Sequence, residues 1–416
     1  MDRKRAVITG TGVVSPVGNT TDDFWNSLKV GKNGIGPITR FNLTDDFKVS
    51  LAAEVKDFDA TQYIDKRKAK RMALFAQYAM VGAIQALAES GLALGEEDPY
   101  RLGAIIGVGM GCMHTIQEET KKLIEKGPKR ISPLFIPTVI PNMAAGNIAI
   151  EYGLKGPVFD VTTACASGTN AMGEAFRAIQ SGYADVVFTG GAENVTTELT
   201  VAGFTALTAL SESKDPNRAS IPFDKERSGF VMGEGAGIVV LEEYEHAKAR
   251  GATILAEVVG YSTTCDAFHI TAPEESGEAM ARAMELAMKD AGITPKDISY
   301  INAHGTSTFY NELVETRAIK TAFGDEAYRI PISSIKSMVG HGLGAAGGIE
   351  AIACVKALQE GFIPPTINYR VPDPELDLDY VPNVGREQDL TYAMSDNLGF
   401  GGHNAVIILK KWDAEV

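Results

Sequence analysis

The segment PVFDVTTACASGTNAMGEAFRAIQSG, residues 157–182, decides the predicted fold. Its β-branched first part is typical of a strand, and after a sharp turn its Ala-rich part indicates a helix that ends at Gly182. Strand patterns of this kind alternate with helical patterns along the whole chain. Alternating strands and helices predict an α/β protein. The predicted strands lie at residues 5–9, 103–106, 158–163, 185–189, 298–302 and 330–333.

Two predicted helices, at residues 171–180 and 345–358, are apolar around most of their circumference. Such helices suit a layer enclosed between two sheets, so we expect a thick, layered core. The best internal boundary follows a charged helix end at 245–252, after which a new strand begins. We therefore predict two parts, residues 1–252 and 253–416. Strands in both parts run into Gly-rich turns, which is compatible with an internal duplication.

The composition of the 416-residue chain narrows its class, with 45% hydrophobic and 22% charged residues. These fractions are typical of a folded protein and not of a disordered chain. No apolar run is long enough to cross a bilayer, and the start of the chain lacks the features of a signal or transit peptide. We therefore predict a cytoplasmic protein without membrane contact. The net charge of -14 argues against a nucleic-acid ligand, because phosphate binding requires a concentrated positive surface.

The four cysteines show neither CxxC pairing nor a regular His partner, so the sequence predicts no disulfide framework and no metal site. Cys165 differs from the others because it falls at the predicted turn before a helix. Backbone N–H groups and the helix dipole at that position would favour the thiolate, which is the form that attacks a thioester. A lone cysteine is more often an inert buried residue. We keep that interpretation for Cys112, Cys265 and Cys354.

Two of the six histidines lie where a strand end or a Gly-rich turn would expose them, His304 in NAHGTST and His341 in KSMVGHGLGAAGG. Ligands of α/β sheets gather beyond the carboxyl ends of strands, so both are candidates for catalysis. The alternative for each is a satisfied core histidine. Lys336 lies five residues before His341 and Glu350 lies in the following helix, a spacing that allows a buried ion pair. His246 is interpreted as part of a helix surface.

A second Gly-rich segment, DNLGFGGHNAVIILKK, places Phe400 between glycines just before a predicted strand. Such glycines adopt unusual dihedral angles and allow backbone N–H groups to face a ligand. A simple tight turn is the alternative. Two segments that look like nucleotide motifs, at Gly10 and Gly107, lack the third glycine of the dinucleotide fingerprint, and no P-loop is present. The sequence therefore excludes a nucleotide role.

Taken together, these motifs resemble those of the β-ketoacyl-acyl carrier protein synthases, most closely the synthase II type of dissociated fatty acid synthesis. The resemblance covers nearly the whole chain. It implies a thiolase fold, five alternating layers (αβαβα) built from two similar halves, in a homodimer. The motifs are VITGTGVVSPVG at the start, TTACASG around Cys165, SIPFDKERSGFVMGEGAG from Ser220, NAHGTST at His304, KSMVGHGLGAAGGIEA from Lys336 and GFGGHN at Phe400.

The resemblance implies a decarboxylative condensation that needs no metal or redox cofactor. An acyl group on Cys165 would be joined to malonyl-acyl carrier protein, giving β-ketoacyl carrier protein, carbon dioxide and free carrier protein in fatty acid elongation. His304 and His341 would stabilise the carbanion. The other implied roles are support of the site by Lys336 and Glu350, gating by Phe400, binding of the pantetheine arm by Thr271, Thr306 and Thr308, and substrate binding by Phe204 and Met110, with Met110 limiting acyl length.

One basic run, Lys66 to Arg71, interrupts the acidity of the chain. Such a run is ordinarily a solvated helix face. An acyl carrier protein is acidic, however, and a protein with a net charge of -14 would repel it unless a local patch reversed the field. The docking patch predicted for the carrier protein consists of Lys66, Lys70, Arg71, Lys129 and Arg130.

Several positions depart from the commonest pattern of the family, although none removes a reacting group. Phe309 stands where proline is usual, and Gly342 follows His341 in place of leucine. Because the altered residues line the same loops, the sequence does not predict chain-length preference or loop behaviour. The other departures are Glu312, Ile335, Val339 and His403.

Two other functions compete with fatty acid elongation. The first is a polyketide-type ketosynthase, or a thiolase-like acyltransferase that uses coenzyme A. The second is a non-catalytic partner subunit that only shapes the product cavity. The GFGGHN segment favours the fatty-acid enzyme, and Cys165 argues against the partner subunit, because such partners lack the nucleophile.

Overall fold

Strands and helices alternate along most of the chain in the computed structural model, which describes residues 3–413. The predicted α/β class is therefore confirmed, and none of the helices within that range is long and apolar enough to cross a membrane. The strands are β1 (Ala6–Val14), β2 (Gly36–Pro37), β3 (Leu51–Ala52), β4 (Leu102–Gly107), β5 (Val158–Val161), β6 (Val186–Glu193), β7 (Gly235–Glu243), β8 (Ala256–Cys265), β9 (Ile298–Asn302), β10 (Ile332–Ser333), β11 (Phe362–Ile363), β12 (Arg386–Glu387), β13 (Tyr392–Gly399) and β14 (His403–Lys411). The helices are α1 (Thr21–Lys29), α2 (Lys66–Ala69), α3 (Leu74–Ser90), α4 (Met113–Lys126), α5 (Phe135–Val139), α6 (Met143–Tyr152), α7 (Ser167–Gln180), α8 (Glu198–Ala206), α9 (Pro216–Ala219), α10 (Tyr244–Ala249), α11 (Glu278–Ala291), α12 (Phe309–Phe323), α13 (Lys336–Val339) and α14 (Ala346–Glu360).

Ten of the strands form one mixed sheet in the order β10-β9-β13-β14-β8-β1-β7-β6-β4-β5. The two central strands, β1 and β8, pair antiparallel, with Ala6 opposite Val258. Outward from β1, the strands β7, β6, β4 and β5 join by two antiparallel and then two parallel pairings. Outward from β8, the strands β14, β13, β9 and β10 repeat the same pairings. The two halves of the sheet thus share one topology.

Successive side chains of β7 point to opposite faces of the sheet and take part in different cores, as expected for a strand buried on both sides. Ile238 and Val240 belong to the core beneath α3 and α6, whereas Val239 and Leu241 belong to the core around α7 and α14. A third core lies beneath α11 and α12 on the other half of the sheet. The order of layers is therefore helix, sheet, helix, sheet, helix.

The central layer consists of the two helices whose sequences are apolar on most sides. On α14 every side chain from 346 to 355 is buried, and on α7 every side chain from 167 to 173 is buried. Both helices contact strands of the sheet and also each other. This arrangement confirms the predicted enclosed helix layer and the thiolase type of fold.

Strand ends position the segments that carry the candidate residues. β5 leads into the turn with Cys165, and β9 leads directly into His304. The loop after β10 carries His341, and the turn from β13 to β14 carries Phe400. The Cys165 turn contacts both β13 and the turn that precedes α14. The candidate residues therefore converge beyond the carboxyl ends of strands, where ligands of α/β proteins bind.

Candidate active site

The turn that carries Cys165 is sharp and is held by hydrogen bonds. It is a 3₁₀ turn (Ala164–Ala166) in which Ala164 has a positive φ of 50°, an unusual conformation for a residue other than glycine. The Thr163 N–H donates to the Ser167 hydroxyl at 2.9 Å, and that hydroxyl donates to the Ala164 carbonyl at 2.6 Å. Cys165 is consequently fixed in the turn just before α7, with only 9% of its surface exposed.

The protonation state of Cys165 differs from the sequence prediction of a favoured thiolate. Burial raises the pKa of the Cys165 thiol to about 12, although the charge of Lys336 and the N–H groups of Phe400 and of Cys165 itself act in the opposite direction. Removal of water from the sulfur thus outweighs the stabilisation by local donors. At neutral pH the resting side chain is a thiol, and it has to lose its proton for the sulfur to attack.

A cavity of about 340 Å³ brings most of the predicted residues together. It extends from the exposed side chain of Phe309 inward to Cys165, and its lining is mainly apolar. A buried nucleophile at the end of such a cavity is accessible only to a substrate that reaches in from the surface. The predicted site residues that line it are Cys165, Thr271, His304, Thr306, Thr308, His341 and Phe400.

The two candidate histidines lie side by side, with ring centroids 5.2 Å apart and ring planes at 89°. The backbone N–H of His304 donates to Glu315 at 2.6 Å, and that of His341 donates to the Val231 carbonyl at 2.7 Å. Burial lowers the pKa of both imidazoles well below the ordinary value, and the nearby charge of Lys336 lowers it further. Both rings are therefore neutral at physiological pH, and each has one N–H to donate.

Lys336 and Glu350 form the buried ion pair that their spacing allows, and 1% and 2% of their side chains are exposed. Neither side chain lines the cavity. Burial raises the pKa of Glu350, while the Lys336 charge and a hydrogen bond from Asn397 act against this effect. The pair joins the His341 loop to α14, and its positive end lies close enough to influence both Cys165 and the histidines.

Glu193, at the end of β6, is a buried residue of this region that the sequence analysis missed. Its carboxylate accepts backbone N–H groups from Gly109 at 2.8 Å, Gly111 at 3.1 Å and Gly344 at 3.2 Å. It also accepts the N–H of Met110, whose side chain is 36% exposed and lies outside the cavity lining. Burial raises the pKa of Glu193 to about 7. An acidic residue in the apolar run VVFTGGAE was the available signal.

Phe204 and Phe400 contact each other, although only Phe400 lines the cavity. Phe204 lies on α8, and its ring centroid is 5.3 Å from that of Phe230 and 6.3 Å from that of Phe400. The turn after Phe400 requires glycine, because Gly401 and Gly402 have φ values of 89° and 77°. The Phe400 N–H faces the Cys165 sulfur. The sequence analysis expected a backbone N–H donor in this Gly-rich turn.

The residues predicted to dock the carrier protein lie on the surface, away from the cavity lining. Lys66 belongs to α2, and Lys70 and Arg71 follow that helix. Lys129 and Arg130 lie in a 3₁₀ turn after α4. All five are exposed.

One of the departures from the family pattern, Phe309, lines the outer part of the cavity together with the adjacent Tyr310. Phe309 and the adjacent Tyr310 are 52% and 62% exposed, and their rings meet edge to face at 5.3 Å. The Arg227 guanidinium lies 5.3 Å from the Phe309 ring centroid. Glu312 is fully buried, and burial raises its pKa to about 8 despite the nearby charge of Arg227.

Family models match most of the chain. Residues 3–247 match the beta-ketoacyl synthase N-terminal domain, and residues 255–370 match the beta-ketoacyl synthase C-terminal domain. A Synechocystis protein named 3-oxoacyl-acyl-carrier-protein synthase 2 is 51% identical, with 99% of each chain aligned. A Staphylococcus aureus protein of the same name is also 51% identical, again with 99% of each chain aligned.

Solved structures show the same fold over the full length. A ketosynthase structure described as bound to a hexaketide, in complex with its type II polyketide acyl-carrier protein, has a TM-score of 0.91 at 36% identity. A beta-ketoacyl synthase from Burkholderia phymatum has a TM-score of 0.91 at 37% identity. Each alignment covers 99% of this chain and 100% of the other.

Proposed function

The chain belongs to the β-ketoacyl synthase family, and we propose that it condenses malonyl-acyl carrier protein with an acyl group carried on Cys165. The products are β-ketoacyl carrier protein, carbon dioxide and free carrier protein, and the reaction extends a fatty acid. The observation that carries this proposal is the geometry of the cavity, in which a buried thiol lies beside two neutral imidazoles. The protein is a condensing acyltransferase.

The first stage transfers the acyl group. The Cys165 sulfur attacks the carrier-bound thioester, a new thioester forms on the enzyme, and the carrier thiol leaves with a proton. Because the resting side chain is a thiol, its proton has to be given up for the sulfur to attack, and the departing carrier thiol takes up one proton. The N–H groups of Cys165 and Phe400 face the sulfur and are suitable donors to the oxyanion of the tetrahedral intermediate.

The second stage forms the carbon–carbon bond. Malonyl carrier protein loses carbon dioxide, and the electron pair of the broken bond becomes an enolate. His304 and His341, which are neutral, donate N–H groups to the enolate oxygen. The enolate carbon then attacks the acyl thioester on Cys165, and expulsion of the sulfur completes the product.

The other predicted residues have supporting roles in this proposal. Lys336 and Glu350 fix the His341 loop, and the Lys336 charge adds to burial in keeping the pKa of both imidazoles low, so that the rings stay neutral. Phe400 gates the entry of malonyl carrier protein from its Gly-rich turn. Thr271, Thr306 and Thr308 line the cavity and are assigned to the pantetheine arm. Met110 and Phe204 lie outside that lining and are assigned to the acyl chain, Phe204 because its ring contacts that of Phe400.

A polyketide ketosynthase is a competing function, since the type II polyketide ketosynthase structure shares the fold at 36% identity. The relatives named 3-oxoacyl-acyl-carrier-protein synthase 2 are nearer, at 51%. A non-catalytic partner subunit is disfavoured, because Cys165 is present and lies in the cavity.

We further propose a homodimer. Strand β5 is at one edge of the sheet, and its Phe159 is 42% exposed. The chain after α4 also presents Leu134, Ile136 and Ile140 to solvent. An open sheet edge beside exposed apolar side chains is ordinarily covered by a partner.

We also propose that the chain divides into two halves between residues 252 and 253, which the repeated sheet topology supports. A cytoplasmic location is a further proposal.

An elongation assay tests the proposed reaction. Purified protein, malonyl carrier protein and a ladder of acyl carrier proteins should give products two carbons longer, detected by mass spectrometry. The chain lengths that react define the primer preference. Elongation of coenzyme A thioesters with no reaction of any carrier-bound primer would instead support the thiolase-like alternative.

The docking patch has its own test, because its charge should matter only to an acidic partner. Replacing Lys70 and Arg71 with Glu should slow acyl transfer from carrier protein by roughly tenfold, through lost electrostatic steering. Transfer from a small acyl-coenzyme A mimic should be unchanged. A matched control replaces the exposed Lys289 and Lys296 with Glu, which changes the net charge by the same amount elsewhere. Equal losses with both substrates, or in both variants, would contradict the assignment.

A further inference from the structure

The amide of Asn397 connects the Lys336–Glu350 ion pair to His304. Asn397 is fully buried on β13. Its Nδ2 donates to a Glu350 carboxylate oxygen and to the Asp396 backbone carbonyl, each at 2.7 Å, and lies 3.3 Å from His304 Nδ1. Its Oδ1 accepts a hydrogen bond of 2.7 Å from the Thr169 hydroxyl on α7. One side chain thus links the ion pair, an imidazole of the cavity and the helix that begins beside Cys165.

The orientation of this amide is determined by its neighbours. Rotating it by half a turn would bring Oδ1 to the position 2.7 Å from the Glu350 carboxylate, where two acceptor oxygens would oppose each other. The rotated Oδ1 would also lie 2.7 Å from the Asp396 backbone carbonyl oxygen, which is an acceptor and has no proton to relieve the repulsion. The nitrogen of Asn397 therefore faces both Glu350 and His304.

This orientation determines which nitrogen of His304 carries the proton. A hydrogen on His304 Nδ1 would point at Asn397 Nδ2, which is only a donor and offers that hydrogen no acceptor. Nδ1 is consequently the acceptor, and in a neutral ring the proton is then on Nε2. Burial holds the His304 pKa well below its ordinary value, so the ring is neutral.

We propose that Asn397 is a positioning residue, which holds His304 in the tautomer with Nε2–H available to donate into the cavity. The proposal rests on the proposed function, because a donor at this position is what stabilises an enolate oxygen. Asn397 acts through His304 and does not itself line the cavity.

The second histidine provides an internal comparison. His341 Nδ1 has no hydrogen-bond partner among the residues that the structure describes. Its tautomer is therefore independent of Asn397. Loss of the Asn397 amide should change the protonation pattern of His304 and leave that of His341 as it was.

The direct test is nitrogen NMR of the full-length protein labelled with ¹⁵N-histidine. Spectra of His304→Ala and His341→Ala variants assign the two signals by difference. The wild-type spectrum should show His304 as the Nε2–H tautomer, and Asn397→Leu, which keeps the side-chain shape without the donors, should show a mixture of tautomers. A wild-type His304 with its proton on Nδ1 overturns the proposal, and this measurement requires no variant at position 397.

Kinetics provide the functional readout. Asn397→Leu should lower the rate of carbon dioxide release from malonyl carrier protein by roughly ten- to a hundredfold, the usual size of effects from residues that orient a reacting group. The KM and the acylation of Cys165 should change little. The matched control, Thr169→Val, removes the contact to Oδ1 but leaves the Nδ2 contacts, so its decarboxylation should remain near that of wild type.

The outcomes separate this proposal from the proposed function. A protein that shows the Nε2–H tautomer but no condensation would contradict the proposed function alone. A protein that condenses normally, with Asn397→Leu unchanged in both tautomer and decarboxylation, would contradict the positioning role alone. A general loss of structure is recognised because it would also abolish acylation of Cys165.

Discussion

Replacement of Cys165 with Gln is expected to abolish condensation while carbon dioxide release from malonyl carrier protein continues at or above the wild-type rate. Condensation requires an acyl thioester on the sulfur, and Cys165 is the one cysteine among the residues that line the cavity. Decarboxylation requires only donors to the developing enolate, and the two imidazoles remain. A glutamine amide has the approximate shape of the missing thioester and is suited to the same N–H donors.

Two measurements report the two stages of this experiment. Release of labelled carbon dioxide follows decarboxylation, and the intact-protein mass after incubation with acyl carrier protein follows acylation. The control is Cys265→Ser, a conservative change of the exposed cysteine, which should retain both activities. If Cys165→Gln still formed the β-ketoacyl product, the nucleophile would be another residue. If it lost decarboxylation as well, the two stages would not be separable as proposed.

The sequence predicted the parts of the fold that depend on local pattern. The strand, turn and helix around Cys165 were predicted because β-branched residues, small residues and an Ala-rich run follow one another within 157–182. The structure has α7 end at Gln180, two residues before the predicted end. The enclosed helix layer was also predictable, since a helix that is apolar on all sides can be stable only when every side is covered.

Features that depend on three-dimensional surroundings were not predictable in this way. The Cys165 pKa is raised because burial outweighs its local donors, and the depth of burial is not encoded in neighbouring residues. Glu193 and Asn397 are polar residues of buried strands, but their partners come from distant segments that the local sequence does not identify. His246, interpreted as surface, bridges Glu242 at 2.7 Å and Glu97 at 2.9 Å. Its pKa is raised to about 9 by these carboxylates.

The histidine variants should keep acylation and lose decarboxylation, which is the opposite of the result expected for the cysteine variant. In His304→Ala or His341→Ala, Cys165 should still accept an acyl group, because neither imidazole is bonded to the thiol in the turn that holds it. Decarboxylation should collapse, since each variant removes one N–H donor to the enolate oxygen. Loss of one such donor typically costs about 3 kcal/mol, or roughly a hundredfold or more in rate.

Substitutions that retain a donor distinguish this role from simple packing. His304→Asn and His341→Asn keep an N–H in a smaller side chain, so they should recover part of the decarboxylation that the alanine variants lose. His114→Ala, on the exposed face of α4, makes the same chemical change outside the cavity and should leave both stages intact. Equal rates of carbon dioxide release in wild type and both alanine variants would exclude the imidazoles as donors. The enolate charge would then have to be stabilised by backbone N–H groups alone, because both rings are neutral and the nearest buried cation, Lys336, is held by Glu350.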